Sequence, residues 1–162
     1  MSKPINIVFA GLGGHGVIKA SDIFAQVAFQ AGKDVKKSEV HGMSQRGGSV
    51  SSDVRIGENI QSPMIPDGES DFLIVLSEDQ IPNNKHRLKE GGVLITSEVL
   101  TGKLKVKKSL NVALLGCLSS YLDIDEEIWL SEIKKSFPEN MYDKNVESFT
   151  IGKTVAQETQ TA

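Results

Sequence analysis

The sequence predicts a single α/β domain with a mostly parallel central sheet, helices on both faces and a helical C-terminal third. Residues 5–10 form a short apolar run, which is typical of a strand covered on both faces. After a glycine-rich turn, apolar residues recur from Val17 to Ala31 at the three-and-four spacing of a helix. With 162 residues, the chain is long enough for one core and too short for separate cofactor and substrate domains.

The next segments continue the alternation of helices and strands. Gly32 suits the end of the first helix. Residues 35–39 predict a second strand, and the alternation over residues 50–56 predicts a third strand that is solvent-exposed on one side. Two prolines and a glycine in residues 62–68 predict a loop.

The middle of the chain predicts two more buried strands and an edge strand. The buried strands are expected at residues 71–76 and 93–96, and a short helix over residues 82–90 should end at Gly91-Gly92. Lysines alternate with apolar residues over positions 103–107, which favours an exposed edge strand.

The last third predicts three helices. The first carries Val112 to Leu122, and the second follows a cap at Asp125 and ends before Pro138. The third should cover residues 139–151 and end at Gly152. We therefore expect the domain to span residues 1–152 and residues 153–162 to form a flexible polar tail.

The composition excludes several classes of function. Eighteen Lys and Arg residues against 21 acidic residues give a net charge of -3, so neither nucleic acid nor a membrane surface is an expected partner. Cys117 is the only cysteine, which excludes an internal disulfide and an iron–sulfur cluster held by this chain alone. We predict no metal site. The absence of a signal-like or membrane-spanning apolar stretch leads us to expect a cytoplasmic protein.

The first glycine-rich turn offers two interpretations. Its candidate site residues are Gly11, Gly13, Gly14, His15 and Gly16. The GxGxxG spacing between a strand and a helix is typical of a Rossmann-like domain that binds a pyrophosphate, with Glu39 placed to bind a ribose. Alternatively, the glycines only allow the strand and the helix to pack closely. For His15, a side chain that fills the loop or contacts a neighbour is favoured over general-base catalysis, and no catalytic residue is predicted.

A second glycine-rich segment contains an exposed arginine. The candidate residues are Gly42, Gln45, Arg46, Gly47 and Gly48. Flanking glycines let a ligand or partner approach the guanidinium and amide groups closely. The alternative is an arginine that pairs with a local carboxylate such as Glu39.

Both glycine segments resemble the gamma subunit or domain of 2-oxoacid:ferredoxin oxidoreductases, especially the indolepyruvate type. The resemblance rests on Gly11-Leu-Gly-Gly-His-Gly16, Glu39, Gly42, Gln45-Arg-Gly-Gly48, Val50 and Val54-Arg55. It continues through residues 62–71, 111–116 and 145–149 and reaches Gly152, so it covers nearly the whole chain.

The resemblance implies a subunit of a complex that decarboxylates a 2-oxoacid and forms an acyl-CoA. Thiamine diphosphate and the iron–sulfur clusters would belong to partner subunits, and ferredoxin would accept the electrons. Gln45, Arg46 and the first glycine turn would lie at the edge shared with the thiamine-binding subunit, near the route of coenzyme A.

Two features depart from the family pattern. The family usually has glutamine where this chain has His15, and the stretch between Thr101 and Leu110 is shortened. Besides the oxidoreductase subunit, two alternatives stay open: a stand-alone Rossmann-type dinucleotide-binding protein and an assembly module that binds no ligand.

Overall fold

A computed structural model describes residues 3–42, 48–103 and 109–161. The strands are β1 (Ile5–Leu12), β2 (Asp34–His41), β3 (Ser49–Gly57), β4 (Ser70–Val75) and β5 (Leu88–Thr96). The helices are α1 (Val17–Gln30), α2 (Ile81–Asn84), α3 (Leu110–Ser119), α4 (Glu126–Ser136) and α5 (Tyr142–Thr161). Short 3₁₀ turns cover Glu78–Gln80, Lys85–Arg87, Ser97–Leu100 and Glu139–Met141. The described helices include none with the length and apolar character needed to cross a membrane.

The five strands form a mixed sheet in the order β2-β3-β1-β4-β5. The β1–β4 and β4–β5 pairs are parallel, whereas β3 is antiparallel to both β1 and β2. The prediction of a mostly parallel sheet is therefore wrong. The antiparallel pairing arises because the connection between β2 and β3 is too short for a crossover helix, and a short connection joins antiparallel neighbours.

The long helices all lie on one side of the sheet. Helices α1, α3, α4 and α5 share one core with the strand residues Ile7 and Phe9. On the opposite face, Val8 belongs to a smaller cluster that Ile65 and the short α2 cover. The prediction of helices on both faces therefore holds only for the four-residue α2, because the loop between β3 and β4 supplies much of the second cover.

The polar side of β3 is less exposed than its alternation predicts. Asp53 is only 7% exposed because Arg87 donates to both of its carboxylate oxygens, at 2.8 and 2.6 Å. Arg87 also donates to the carbonyl oxygen of Ile65, at 3.2 Å. This largely buried ion pair connects the β3–β4 loop and the turn Lys85–Arg87 to β3.

The helix predicted over residues 82–90 is shorter than expected. It ends in the 3₁₀ turn Lys85–Arg87, and β5 begins at Leu88. Gly91 and Gly92 lie within β5, where the pairing with β4 shifts register between Ser70 and Phe72. The glycines that we interpreted as a helix end therefore accommodate a strand irregularity.

The C-terminal helix continues past its predicted end. Gly152 lies inside α5, which extends to Thr161, and Val155 and Ala156 are buried. The predicted tail is therefore wrong for residues 153–161. Gly152 does not cap a helix; a Cβ there would lie 1.8 Å from the carbonyl oxygen of Ala113, so the glycine allows α5 to pack directly on α3.

Several predicted elements are confirmed. Helix α1 is followed by Gly32 with a φ of 84°, the left-handed conformation of a helix end. Helix α3 and the helix that follows Asp125 are also present. The predicted edge strand falls largely on residues 104–108, which lie outside the described residues, and Lys103 is in a turn.

Candidate functional site

The first glycine turn connects β1 to α1 at the carboxyl edge of the parallel strands. Gly14 and Gly16 have φ angles of 89° and 87°, a region that other residues rarely adopt. Gly11 is required for a different reason, because a Cβ would lie 2.9 Å from Val17 Cγ2 and 3.0 Å from Ser77 Oγ. Both the backbone conformation and close packing therefore depend on these glycines.

The second glycine segment lies beside the first. The Gly13 amide donates to the carbonyl oxygen of Gly48 at 2.8 Å, and the Gly42 amide donates to Ser49 at 2.7 Å. Because β1 and β3 are paired, Leu12 lies opposite Ser49. We refer to residues 11–16 together with Gly42 and Gly48 as the glycine rim.

Three candidates from the second segment lie outside the described residues. They are Gln45, Arg46 and Gly47. The segment begins at Gly42 and ends at Gly48, both of which belong to the glycine rim. The role of the arginine and glutamine side chains stays a prediction from the sequence.

Glu39 is not brought to the first glycine turn. It lies on β2, and β3 separates β2 from β1, so two interstrand spacings of about 4.8 Å each intervene. Its carboxylate accepts a hydrogen bond from Lys37 and lies 3.5 Å from His41 Nε2. The hydrogen bond from Lys37 lowers the pKa of Glu39. Dinucleotide-binding domains place this acid on the strand next to β1, and this chain does not.

His15 is held by a serine that the sequence interpretation missed. Its Nδ1 lies 2.7 Å from Ser77 Oγ, and the same oxygen accepts a hydrogen bond from the Leu12 amide at 3.0 Å. Which of the two groups donates in this contact depends on the tautomer of the imidazole. Ser77 lies two residues after the end of β4, and that position at the carboxyl edge was the signal that could have found it.

The His15–Ser77 pair fastens the turn to β4. Ser77 is only 5% exposed, and its oxygen already accepts a backbone hydrogen bond. A buried, doubly bonded hydroxyl is poorly placed to attack a substrate. The side chain of His15 is exposed, and its contact with Ser77 supports the prediction that it contacts a neighbour.

A cavity of about 950 Å³ opens beside the glycine rim, at the carboxyl ends of β1, β4 and β5. The connection from β1 leads through α1 to one side of the sheet, and the connection from β4 leads to the other. Ligands of α/β proteins commonly bind where the connections diverge in this way. The lining residues that matter here are Gly14, His15, Gly16, Glu78, Asp79 and Asn111.

The described residues do not assemble a metal site. Within residues 3–42, 48–103 and 109–161, no three His, Cys, Asp or Glu side chains come together as possible ligands. Cys117 is buried in α3, and burial raises the pKa of its thiol to about 12. This cysteine is therefore a neutral packing residue at physiological pH.

Comparison with known sequences gives relatives along almost the entire chain. Residues 6–155 match the family of pyruvate ferredoxin/flavodoxin oxidoreductases. Indolepyruvate oxidoreductase subunit IorB of Thermococcus kodakarensis is 28% identical over 197 aligned residues, covering 96% of this chain and 98% of that protein. The Archaeoglobus fulgidus subunit of that name is 34% identical over 134 residues, covering 83% of this chain and 61% of the relative. The 2-oxoglutarate synthase subunit KorC of Methanocaldococcus jannaschii is 28% identical over 183 residues, covering 98% of this chain and 96% of that protein.

Solved structures share the fold. The gamma subunit of a keto/oxoacid ferredoxin oxidoreductase from Geobacter sulfurreducens superimposes with a TM-score of 0.77 at 26% identity, covering 95% of this chain and 99% of that one. A 2-oxoglutarate:ferredoxin oxidoreductase from Magnetococcus marinus gives a TM-score of 0.83 at 22% identity, covering 98% of this chain and 32% of that one. These findings confirm the resemblance seen in the glycine segments. The chain belongs to the pyruvate ferredoxin/flavodoxin oxidoreductase family, within which it is a small, gamma-type subunit.

Proposed function

We propose that this chain docks through its glycine rim on the thiamine-diphosphate-binding subunit of a 2-oxoacid:ferredoxin oxidoreductase. The observation that carries the proposal is the hydrogen bond from the Gly13 amide to the Gly48 carbonyl, which joins the two glycine segments into one edge. Around Gly14 there is open space, since a Cβ there would meet nothing within 4 Å. A partner can therefore approach the backbone of this edge closely.

The chemistry of the complex is assigned to its other subunits. His15 and Ser77 bind each other, and Cys117 is buried as a thiol, so the described side chains do not form a complete catalytic set. We assign thiamine diphosphate and the iron–sulfur clusters to partner subunits and the final electron transfer to ferredoxin. Coenzyme A is the co-substrate and passes near this interface, and the complex acts in the cytoplasm.

The substrate is proposed only as a class, the 2-oxoacids. Relatives named for indolepyruvate and for 2-oxoglutarate are both 28% identical to this chain over nearly its full length. Identity therefore does not select between an aromatic and an acidic side chain. The selection belongs to the subunit that binds the oxoacid.

The geometry does not support the alternative of a dinucleotide-binding protein. It requires Glu39 beside the first glycine turn, and β3 lies between them. An assembly module without any ligand would dock in the same way and differs from our proposal only in that no coenzyme A passes near its interface. Calorimetry of the isolated chain and of the complex with coenzyme A and with nicotinamide nucleotides separates the three cases.

Reconstitution tests the proposal. The thiamine-binding and iron–sulfur subunits are purified with and without this chain, and oxoacid- and coenzyme-A-dependent reduction of a viologen dye is measured for several 2-oxoacids. We expect activity only when the chain is present, with no activity from the chain alone. A chain carrying Glu90→Gln serves as control, since Glu90 is exposed on β5 far from the rim. Equal rates without the chain would refute the proposal.

A further inference from the structure

One buried hydroxyl holds two points of the first glycine turn. Ser77 Oγ accepts a hydrogen bond from the Leu12 amide at 3.0 Å and lies 2.7 Å from His15 Nδ1. Ser77 is only 5% exposed, and a Cβ on Gly11 would lie 3.0 Å from its Oγ. The hydroxyl therefore lies against Gly11 and contacts the turn both at its start and at its imidazole.

The backbone of the turn does not fix this imidazole by itself. The His15 amide donates to the Leu12 carbonyl oxygen at 3.1 Å, and Gly14 has the positive φ that a type II turn requires at its third residue. Glycine has more conformational freedom to lose on folding than any other residue. Among the described residues, only Ser77 forms side-chain hydrogen bonds with residues 11–16. Ser77 is therefore the side chain that holds His15 in place.

The two ring nitrogens of His15 have different surroundings. Nδ1 contacts the buried hydroxyl, whereas the residue as a whole is exposed. Among the residues that the structure describes, Nε2 has neither a hydrogen bond nor an ion pair. By comparison, the Nε2 atoms of His41 and His86 lie 3.5 and 3.7 Å from the carboxylates of Glu39 and Asp67. His15 Nε2 is therefore a polar atom that is left for an incoming partner.

A side chain that is fixed before binding contributes more to affinity than a mobile one. Immobilising a side chain on association costs free energy, and a side chain that is already held avoids that cost. Either tautomer of a neutral imidazole leaves Nε2 able to form one hydrogen bond, as donor or as acceptor. His15 also lies next to Gly14, which faces open space, so a partner that docks on the glycine rim reaches its ring.

We propose that Ser77 is a positioning residue. It holds the imidazole of His15 so that Nε2 hydrogen-bonds a polar group of the thiamine-binding subunit when the glycine rim docks. Ser77 contacts neither substrate nor cofactor in this role and acts through His15. This inference rests on the proposed function, because it names the side chain through which the rim recognises its partner.

Binding of the purified thiamine-binding subunit to the full chain tests the proposal. We expect Ser77→Ala to raise the Kd about tenfold, because the imidazole is no longer held. Ser70→Ala is the matched control. Ser70 is a fully buried serine at the other end of β4, and its hydroxyl donates to the Phe72 carbonyl oxygen at 2.6 Å. We expect an unchanged Kd for the control, although it also removes a buried hydrogen bond. Circular dichroism and urea denaturation verify that both variants are folded.

Two substitutions of His15 separate the holding contact from the partner contact. Asparagine places a polar atom near the position of Nδ1, and glutamine places one near the position of Nε2. We expect His15→Gln to retain most of the binding, whereas His15→Asn should weaken it as much as His15→Ala does. Equal weakening by glutamine and asparagine would contradict the assignment of the partner contact to Nε2.

Imidazole NMR of the isolated chain gives a readout that a purely structural serine would not change. The chain has three histidines, and the signals of His15 are those that disappear in His15→Gln. We expect Ser77→Ala to shift the Nδ1 signal of His15 and to leave the signals of His41 and His86 in place. Ser70→Ala should shift none of them.

The outcomes separate two kinds of failure. An unchanged Kd for Ser77→Ala, an equal rise for Ser70→Ala, or an unchanged Nδ1 signal in Ser77→Ala would overturn the positioning role alone. No binding by the wild-type chain would overturn the docking function itself.

Discussion

The chain uses glycine in two regions for opposite physical reasons. In the glycine rim, Gly14 has a φ of 89° and a Cβ there would meet nothing within 4 Å. Where α3 crosses α5, a Cβ on Gly152 would lie 1.8 Å from the Ala113 carbonyl oxygen. A Cβ on Gly116 would lie 2.1 Å from the carbonyl oxygen of Phe149. Gly14 needs the conformational freedom of glycine, and the crossing needs the missing side chain.

This difference separates function from stability. The crossing is buried and backbone contacts backbone, so a substitution there disturbs the core. Gly14 of the rim faces open space, so a substitution there strains one residue and alters what a partner meets. A mutation at Gly14 can therefore reduce docking without unfolding the chain.

Gly152→Ala should have the largest effect. Its Cβ would overlap the backbone of Ala113, and neither helix can yield without losing packing around Phe149. We expect a loss of about 3 kcal/mol in the free energy of unfolding, measured by urea denaturation. Gly68→Ala is the control, because Gly68 has a φ of 79° but open space around it. Equal losses in the two variants would mean that the close contact is unimportant.

Gly14→Ala should have a moderate effect on stability and a larger one on docking. The left-handed conformation costs an alanine about 1 kcal/mol, and the new methyl group enters the space in front of the rim. Gly32→Ala is closely matched, since Gly32 has a φ of 84° and also lacks neighbours within 4 Å, but it lies at the far end of α1. We expect equal unfolding free energies and weaker partner binding only for Gly14→Ala. The same Kd for both variants would separate the rim from docking.

Arg46→Ala should change stability by less than about 0.5 kcal/mol, as is usual at the surface-loop position that the sequence predicts for this residue. We expect it to weaken assembly or slow acyl-CoA formation, because the guanidinium is predicted to face the partner. Thermal unfolding and reconstituted activity are the two measurements. A variant that melts would show that Arg46 is structural.

Glu39→Gln should have the smallest effect and should depend on pH. The hydrogen bond from Lys37 lowers the pKa of Glu39 below its usual 4.5, so its stabilising contribution is present above that pH. The contribution is lost as the pH falls through the lowered, folded-state pKa. The difference in urea midpoint between wild type and variant should therefore shrink in acid. A constant difference would mean that the ion pair is not its source.

Local sequence patterns predicted the elements whose packing they determine. The apolar run of β1 and the three-and-four spacing of α1 reflect burial by a single core, and both elements are confirmed. Gly32 predicted a helix end correctly, whereas Gly152 did not. Each of the two glycines follows an apolar, helix-like segment, so the sequence predicts the same role for both. Gly152 instead lies where α5 packs on α3, and α5 continues past it.

The order of the strands in the sheet and the partners of each strand could not be predicted from local sequence patterns. The position of β3 between β2 and β1 moves Glu39 away from the first turn, and no local pattern specifies it. Ser77 and Asn111 reach the rim from elements far along the chain. The sequence therefore indicated which residues form the rim but not what surrounds them.

Hydrogen–deuterium exchange of the chain with and without the thiamine-binding subunit tests the central claim most directly. Our account predicts slower amide exchange in peptides covering residues 9–18 and 40–50 when the partner is bound, with no change at the α3–α5 crossing. Unchanged exchange in both rim peptides, in a complex that is demonstrably formed, would contradict it.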